Sequence, residues 1–436
     1  MSLSLRFRLI DLFRGTRSIS LLNELRRSQY DSPQIWTAHE RRQLAAYFDA
    51  LRAAVPLFRE VQRFEDLPVL DKRFINTHRE QLIDANYRGK RVRKKTGGST
   101  GEPLVYFTGT DAQSYLWVGL FLSWETAGYR LGEKVAFLAG SSLFGTGYKQ
   151  RLYYRLLNVT VMNAFDLSDQ RLLDYASQFD SGRFRLLYGY ASAIHRLARL
   201  FLDAGKTIPN RLRGIVCTAE TLTPAMRTDI EQAFGVPCFS QYGCHDAGVS
   251  AFECEERNGF HLISARCHAE VLDDGRLIAT DVTNRAMFMP RYDTGDLVQM
   301  SGRACPCGRG LPLIDKVIGR QNDIVIDPSG AAVHSEFFTH MFREDARIQA
   351  FQIVFDERNL CVNLHAGPFS EALRSTLDQQ YRSRIEASLK FAQLRFELNA
   401  PFVTLPNSKH RFVIRRSAAT APHEQSNSRN EIPPGH

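Results

Sequence analysis

An α/β fold is predicted for this chain: a large N-terminal domain of mixed, largely parallel sheets and helices, then a small α+β domain. Three observations predict it. Apolar runs of strand length recur, each followed by a loop and then by helical periodicity, which is the pattern of parallel pairing. The chain has 436 residues, enough for more than one core. Near Gly319-Arg320 the pattern changes to short strands around a single helix.

Taken in order, residues 1–80 read as a mostly helical lead-in, broken at Leu67-Pro68-Val69-Leu70. Val135-Ala136-Phe137-Leu138-Ala139 is the first buried strand, and a Gly/Ser loop follows it. Leu186-Leu187-Tyr188-Gly189-Tyr190 is the second, followed by a helix through Ile194, Leu197, Leu200 and Phe201. Gly214-Ile215-Val216-Cys217-Thr218 is the third, again with a helix behind it. Ligands of such sheets bind at loops beyond the C-terminal strand ends. Three loops qualify here: Ser141-Ser142, Tyr190-Ala191-Ser192 and Ala219-Glu220-Thr221. The predicted division is 1–319 for the large domain and 320–416 for the small one. The small domain carries strands at Ile324-Val325-Ile326, Gln352-Ile353-Val354-Phe355, Cys361-Val362-Asn363-Leu364 and Leu394-Arg395-Phe396-Glu397, with a helix at 371–389. Residues 417–436 are rich in Ser, Pro, Asn and His and read as a disordered tail.

The densest chemical signal is Thr96-Gly97-Gly98-Ser99-Thr100-Gly101-Glu102-Pro103. Glycine allows positive φ and close approach by a ligand, and hydroxyls with free backbone N–H groups line anion sites. No Lys-Ser/Thr pair follows the last glycine, so the segment is not a Walker A loop. Leu104-Val105-Tyr106-Phe107 reads as a strand, which makes the loop a link between two strands. By itself it reads equally as a phosphate-binding loop or as a polar hairpin loop.

Composition excludes some classes. Hydrophobic residues are 44% and charged residues 24%, ordinary for a globular protein. No apolar run reaches membrane-span length. Residues 1–22 are amphipathic but interrupted by Arg6, Arg8, Asp11 and Arg14, so they read as a leading helix without stable membrane insertion, with transient membrane contact as the lesser alternative. The net charge of +9 and a pI near 9.2 suit anionic ligands. Basic residues are scattered and no recognition-helix motif is present, so nucleic acid is not an expected partner. Without a secretion signal a cytoplasmic location is expected, and the eight cysteines read as thiols or metal ligands.

Further motifs follow in order: Tyr242-Gly243-Cys244-His245-Asp246, Arg291-Tyr292-Asp293-Thr294-Gly295-Asp296, Gly319-Arg320-Gln321-Asn322-Asp323, and Lys409 within Leu405-Pro406-Asn407-Ser408-Lys409-His410-Arg411. With the glycine loop, this ordered set resembles the adenylate-forming superfamily of acyl-CoA synthetases, luciferases and adenylation domains. Val55-Pro56-Leu57-Phe58-Arg59, Leu67-Pro68-Val69-Leu70-Asp71-Lys72 and Cys305-Pro306-Cys307-Gly308-Arg309 are similar to its phenylacetate-CoA ligase and CapK-like branch. The resemblance covers about residues 50–416.

The resemblance implies an AMP-forming acid–thiol ligase that uses ATP and Mg²⁺. Thr96, Gly97, Gly98, Ser99, Thr100 and Gly101 would hold the β- and γ-phosphates. Ala219, Glu220, Thr221, Tyr242 and Gly243 would frame the adenine. Asp246 stands where the superfamily usually has a Glu that helps bind Mg²⁺. Asp296 would accept from the ribose hydroxyls, and Arg320 would bind ribose or phosphate. Lys409 would neutralise the α-phosphate and carboxylate oxygens, although Ser408 replaces the usual preceding Gly. Asn322 stands at the usually acidic hinge about which the small domain rotates. The resemblance implies an aryl or arylacetic acid as substrate and coenzyme A as acceptor. A carrier-protein thiol, an amine or a hydroxyl is the alternative acceptor, and a non-catalytic nucleotide-binding protein is a second alternative. Phe137, Tyr188 and Tyr190 are candidate walls of the acyl pocket, though aromatics at such spacing also serve as core. The oligomeric state is open between monomer and homodimer.

Cys254, His261, Cys305 and Cys307 offer three thiolates and an imidazole, a set suited to tetrahedral structural zinc. Cys305-Pro306-Cys307 has one intervening residue, unlike a standard finger; the CapK-like branch shows the same pattern. The expected metal is structural, with no open coordination position.

Overall fold

The computed structural model describes residues 3–96, 104–139, 148–163, 169–181, 184–205, 211–220, 222, 224–317, 324–334, 337–338, 341–342, 345, 347–366, 371–403 and 413–415. Five helices form the lead-in: α1 Leu3–Arg14, α2 Ser18–Ser28, α3 Pro33–Ala54, α4 Lys72–Thr77 and α5 Arg79–Leu82. Pro33 at the first position of α3 follows the N-cap Ser32, and the Asp71 carboxylate caps α4 by accepting from Phe74 N at 2.7 Å. The expected break at 67–70 has a structural task. Leu70 exchanges backbone hydrogen bonds with Arg291 and Asp293, each at 2.9 Å, and so docks on the start of a later strand.

β1 (Val92–Lys95) and β2 (Val105–Thr108) pair antiparallel, Lys95 facing Val105. The glycine loop therefore does join two strands; residues 97–103 themselves lie outside the described residues. Thr96 ties the loop's ends together, since its N–H donates to Leu104 O and its Oγ1 accepts from Leu104 N.

Beyond α6 (Thr110–Thr126) the chain builds one sheet of eleven strands, β10-β11-β12-β13-β9-β8-β7-β6-β5-β3-β4. Its parallel half is β3 (Val135–Ala139), β4 (Val159–Asn163), β5 (Leu186–Tyr190), β6 (Gly214–Thr218) and β7 (Cys238–Cys244). Helices α7 (Tyr148–Leu156), α8 (Asp169–Ser181), α9 (Ala191–Asp203) and α10 (Pro224–Phe234) connect these strands. The three apolar runs of the sequence become β3, β5 and β6, and the Ile194, Leu197 and Phe201 stripe of α9 is buried. The antiparallel half is β8 (Val249–Glu253), β9 (Phe260–Leu262), β10 (Cys267–Val271), β11 (Arg276–Asp281), β12 (Tyr292–Met300) and β13 (Leu313–Val317).

The chain leaves β3 for the edge strand β4 and returns to β5 on β3's other side. The C-terminal ends of β3 and β5 thus flank a topological switch point, where sheets of this kind hold ligands. There the strands approach closely: a Cβ on Gly189 would lie 2.0 Å from Leu138 O.

C-terminal to the sheet, β14 (Ile324–Ile326) and β15 (Ala332–His334) form a hairpin. A separate four-stranded sheet, β18-β17-β16-β19, contains β16 (Ile348–Phe355), β17 (Asn359–Ala366), β18 (Gln393–Leu398) and β19 (Val413–Arg415), with α11 (Glu371–Ser388) preceding β18. Among the described residues, strands with α11 beside them match the α+β pattern of the sequence.

Candidate functional site

Register brings the first site residues level. Tyr190 on β5 pairs with Thr218 on β6, and Thr218 pairs with Gln241 on β7. One row at the C-terminal strand ends therefore leads into Ala219-Glu220, α9 and Tyr242. Ala219 has φ +66°, an uncommon value for a residue with a Cβ, so the chain turns sharply as it leaves β6. Glu220 receives Ser192 N at 2.7 Å and Ser192 Oγ at 3.0 Å. Its carboxylate thus sits on the first turn of α9, where the helix dipole favours negative charge. Glu220 is a strut between two strand-end loops.

Two expected acids meet through two tyrosines. Tyr242, half-buried at the end of β7, donates to Asp296 Oδ2 at 2.8 Å. Tyr292, fully buried at the start of β12, donates to Asp246 Oδ2 at 3.1 Å. Cys244 Sγ donates to Asp246 Oδ1 at 2.9 Å, and Asp296 N donates to Thr294 Oγ1 at 3.1 Å. β12 thus orients both acids: Asp296 is its own residue, and its Tyr292 holds Asp246. Both carboxylates keep partial exposure. The turn after Asp246 demands Gly248: φ is +76°, and a Cβ would lie 2.4 Å from Asp281 Cβ.

The surroundings of Asp246 are basic. His245 adjoins Asp246; desolvation by the surrounding protein, then Arg266 and Lys94, push its imidazole down to about 4. Lys94, one strand position from the glycine loop's anchor at Lys95, is held below its ordinary value by burial, then by Arg14 and Arg266. Arg266 is buried and donates to Ser250 Oγ at 2.7 Å. Arg266 also pairs with Asp281 Oδ2 at 3.4 Å.

The candidate acyl-pocket aromatics are all buried. Phe137 and Tyr188 pack ring to ring at 4.8 Å, and Tyr188 stands 5.2 Å from Trp124, deep in the core cluster. Tyr190, next to α9, lies nearest the strand ends.

The cysteine set converges. The ligand atoms of Cys254, His261, Cys305 and Cys307 all lie within 4.8 Å of one another. Cys254 Sγ is 3.6 Å from Cys305 Sγ, and Cys307 Sγ is 3.3 Å from His261 Nε2. Sulfurs about 2.3 Å from a shared tetrahedral centre stand about 3.8 Å apart, so these separations fit one zinc-sized ion. Three antiparallel strands make the convergence: Cys254 follows β8, His261 is on β9, and the Cys305–Cys307 turn precedes β13, whose Leu313 pairs with His261. Burial pushes the Cys254 thiol up to about 12 and the His261 imidazole down to about 4. Cys307 sits below the usual thiol value: burial opposes ionisation, but hydrogen bonds from the Arg309 backbone and guanidinium outweigh it. Without a cation the thiols cannot all ionise; a dication would stabilise the thiolates and use the neutral imidazole. Arg309 extends the corner. It donates to Gln29 Oε1 and Glu255 Oε2, each at 2.9 Å, and lies over the Tyr30 ring. Gly310 packs against the lead-in so tightly that a Cβ would fall 1.9 Å from Asp31 O.

Thr221, Arg320, Asn322 and Lys409 lie outside the described residues, as do Gly97, Gly98, Ser99, Thr100 and Gly101 of the loop. Sequence reading placed Ser192 in a candidate ligand loop but gave no role to Cys244, Tyr292 or Thr294; these four fix the acids. Tyr292 sits within a quoted motif, but its pairing with Asp246 crosses 46 positions and leaves no local signal.

Comparison with known proteins gives relatives and a fold. No protein-family model matches the chain. CapK of Staphylococcus aureus is 27% identical over 377 residues, 81% of this chain and 80% of that protein. A phenylacetate-coenzyme A ligase of Thermus thermophilus is 29% identical over 247 residues, and one of Escherichia coli is 26% identical over 250. Each of these ligases matches across 53% of this chain and 55% of its own length. Among solved structures, 2-hydroxyisobutyryl-CoA ligase in its thioesterification state superposes with a TM-score of 0.59 at 16% identity, covering 89% of this chain and 91% of that one. In its postadenylation state the TM-score is 0.53 at 15% identity. The fold is therefore that of the AMP-forming acid ligases. The chain's relatives and its fold together support an adenylate-forming superfamily member on the branch of CapK and the phenylacetate-CoA ligases.

Proposed function

We propose that this chain activates a carboxylic acid, aryl or arylacetic, with ATP and then passes the acyl group to coenzyme A. One carboxylate oxygen attacks the α-phosphorus. The bond from that phosphorus to the bridging oxygen breaks, and pyrophosphate leaves with the electron pair. A thiol then attacks the acyl carbon of the mixed anhydride, and AMP leaves.

One observation supports the reading above the rest: Asp246 and Asp296, from motifs 50 positions apart, are held by tyrosines in one cluster at the C-terminal edge of the sheet. Asp246 suits Mg²⁺, which when bound would offset phosphate charge; a carboxylate on a turn is a hard oxygen donor. Asp296 accepts from ribose hydroxyls, and Tyr242 aims it. Ala219, Glu220 and Thr221 border the adenine beside Tyr242 and Gly243. Residues 96–101 take the outer phosphates through backbone N–H groups and hydroxyls, with Lys94 and Arg266 adding positive field. Arg320 binds ribose or phosphate, Lys409 neutralises the α-phosphate in the adenylation step, and Asn322 is the hinge between the half-reactions. Tyr190 borders the acyl group. Cys254, His261, Cys305 and Cys307 hold a structural zinc.

The test is carboxylate-dependent ATP–pyrophosphate exchange across a panel of aromatic and aliphatic acids, followed by thioester detection with coenzyme A. Exchange stimulated by an aryl acid, then acyl-CoA, is expected. No exchange with any acid would overturn adenylation. Exchange without thioester, but with product on a carrier protein or an amine, would overturn the acceptor.

A further inference from the structure

The strongest uncommitted surface lies behind the β1–β2 hairpin. Residues 88–95 read Arg-Gly-Lys-Arg-Val-Arg-Lys-Lys, six cations in eight positions. Lys94 is half-buried, and alternation along β1 turns Arg93 and Lys95 outward. Arg88, Lys90, Arg91, Arg93 and Lys95 are exposed, and none of them forms an ion pair among the described residues. Acids on the adjoining elements are already engaged. Asp111 pairs with Arg17, Asp11 accepts from Thr16 and Ile19, and Asp84 accepts from Asn86 within its own turn.

Beside this basic ridge stands an apolar tip. Leu12 and Phe13, adjacent on the last turn of α1, are 75% and 74% exposed. Two contacts fix the tip against the ridge. Lys90 Nζ donates to Phe13 O at 2.6 Å. Gly15, just past α1, packs on Thr110, whose N–H donates to the Tyr87 hydroxyl at 2.9 Å. Two large side chains held in water, next to five exposed cations with no ion-pair partner among the described residues, are what insertion into the headgroup region of an anionic bilayer needs. The apolar pair enters the acyl boundary while the cations meet lipid phosphates, whose surface potential attracts them.

We propose that Leu12, Phe13 and the 88–95 ridge form a peripheral docking surface for anionic membrane. No helix among the described residues is long and apolar enough to cross a bilayer, so attachment is at the interface and reversible.

The test is flotation of the full chain with vesicles of phosphatidylcholine alone or of phosphatidylcholine with phosphatidylglycerol, over a range of salt. Binding is expected only with phosphatidylglycerol, and it should weaken as salt rises. Leu12→Ser/Phe13→Ser should lower partitioning about tenfold or more, and Arg93→Glu/Lys95→Glu should lower it at least as much. Both variants change exposed side chains, and an unchanged thermal midpoint checks their folds. Equal binding to neutral vesicles, or undiminished binding by Leu12→Ser/Phe13→Ser, would overturn the proposal. So would tighter capture by a soluble polyanion such as heparin or RNA with no dependence on Leu12 and Phe13, because the ridge alone would then be the site.

Discussion

The acid cluster, on β7 and β12, and the thiol corner, on β8, β9 and the turn before β13, belong to one sheet but are built in opposite ways. In the first, half-exposed carboxylates are aimed by tyrosines, and the rest of the proposed set comes from loops and from the small C-terminal unit. In the second, four donor atoms are already within reach of one ion, and three of the four residues are buried. An open, incomplete cluster suits groups that must exchange ligands and be finished by a moving part. A closed cluster suits a group that never leaves. Damage to the first should therefore appear as rate, and damage to the second as stability.

The largest effect is expected at Lys409. If it neutralises charge that develops on the α-phosphate, Lys409→Ala should cut carboxylate-dependent exchange by about a hundred- to a thousand-fold. The thermal midpoint should stay put, since the change removes a charge and not an apolar side chain. Wild-type exchange in this variant would remove Lys409 from the reaction.

Next is the corner. Cys305→Ser/Cys307→Ser should lose the metal that elemental analysis finds in the parent, because two of four donors become poor ligands. Metal binding is folding free energy, so the melting midpoint should fall. Arg309 carries the loss to Gln29 and Tyr30, so the lead-in should loosen as well, visible as faster hydrogen exchange around residues 25–36. Exchange activity at low temperature should remain within about threefold of wild type, because no water-bearing catalytic position is expected. A metal-free parent of full activity and stability would refute the zinc, and retained metal in the double mutant would show that other residues hold it.

The contrast also explains what the sequence revealed. β3, β5 and β6 were legible because a parallel strand covered on both faces is a continuous apolar run, and α9 because its buried stripe has helical spacing. The antiparallel half was nearly silent. Strands such as β10, with only Cys267 buried, and three-residue β9 carry too little pattern. The acids were legible through the order of motifs, and the thiol corner through ligand chemistry. What aims them was not: Tyr292 reaches Asp246 across 46 positions, and Arg309 reaches Gln29 across 280. Long-range hydroxyl and guanidinium bonds have no period and no spacing rule.

A backbone test comes third. Gly248→Ala should destabilise the fold by about 2 kcal/mol, because both φ +76° and contact with Asp281 disfavour any Cβ. The turn carrying Asp246 should shift, so the KM for ATP and Mg²⁺ should rise as stability falls. Unchanged unfolding and kinetics would mean that the turn is more pliable than its geometry implies.

The smallest effect, and the sharpest discriminator, belongs to Tyr292→Phe. This change deletes one hydroxyl from a fully buried ring and leaves the packing of the core around Leu70 and Met287 in place. The lost hydrogen bond to a carboxylate is worth about 1–2 kcal/mol, less whatever water recovers at the half-exposed acid. If the tyrosine only stabilises the fold, the cost appears as a lower melting midpoint, with kcat and KM unmoved. If it positions Asp246 for Mg²⁺, the Mg²⁺ concentration for half-maximal exchange should rise roughly three- to tenfold, and saturating metal should restore the rate. Tyr242→Phe is the matched control: its partner is Asp296, so the KM for ATP should rise while the Mg²⁺ dependence stays as in wild type. Identical responses in the two variants would mean that the acids do not divide the nucleotide and the metal between them, and that the cluster acts as one structural unit.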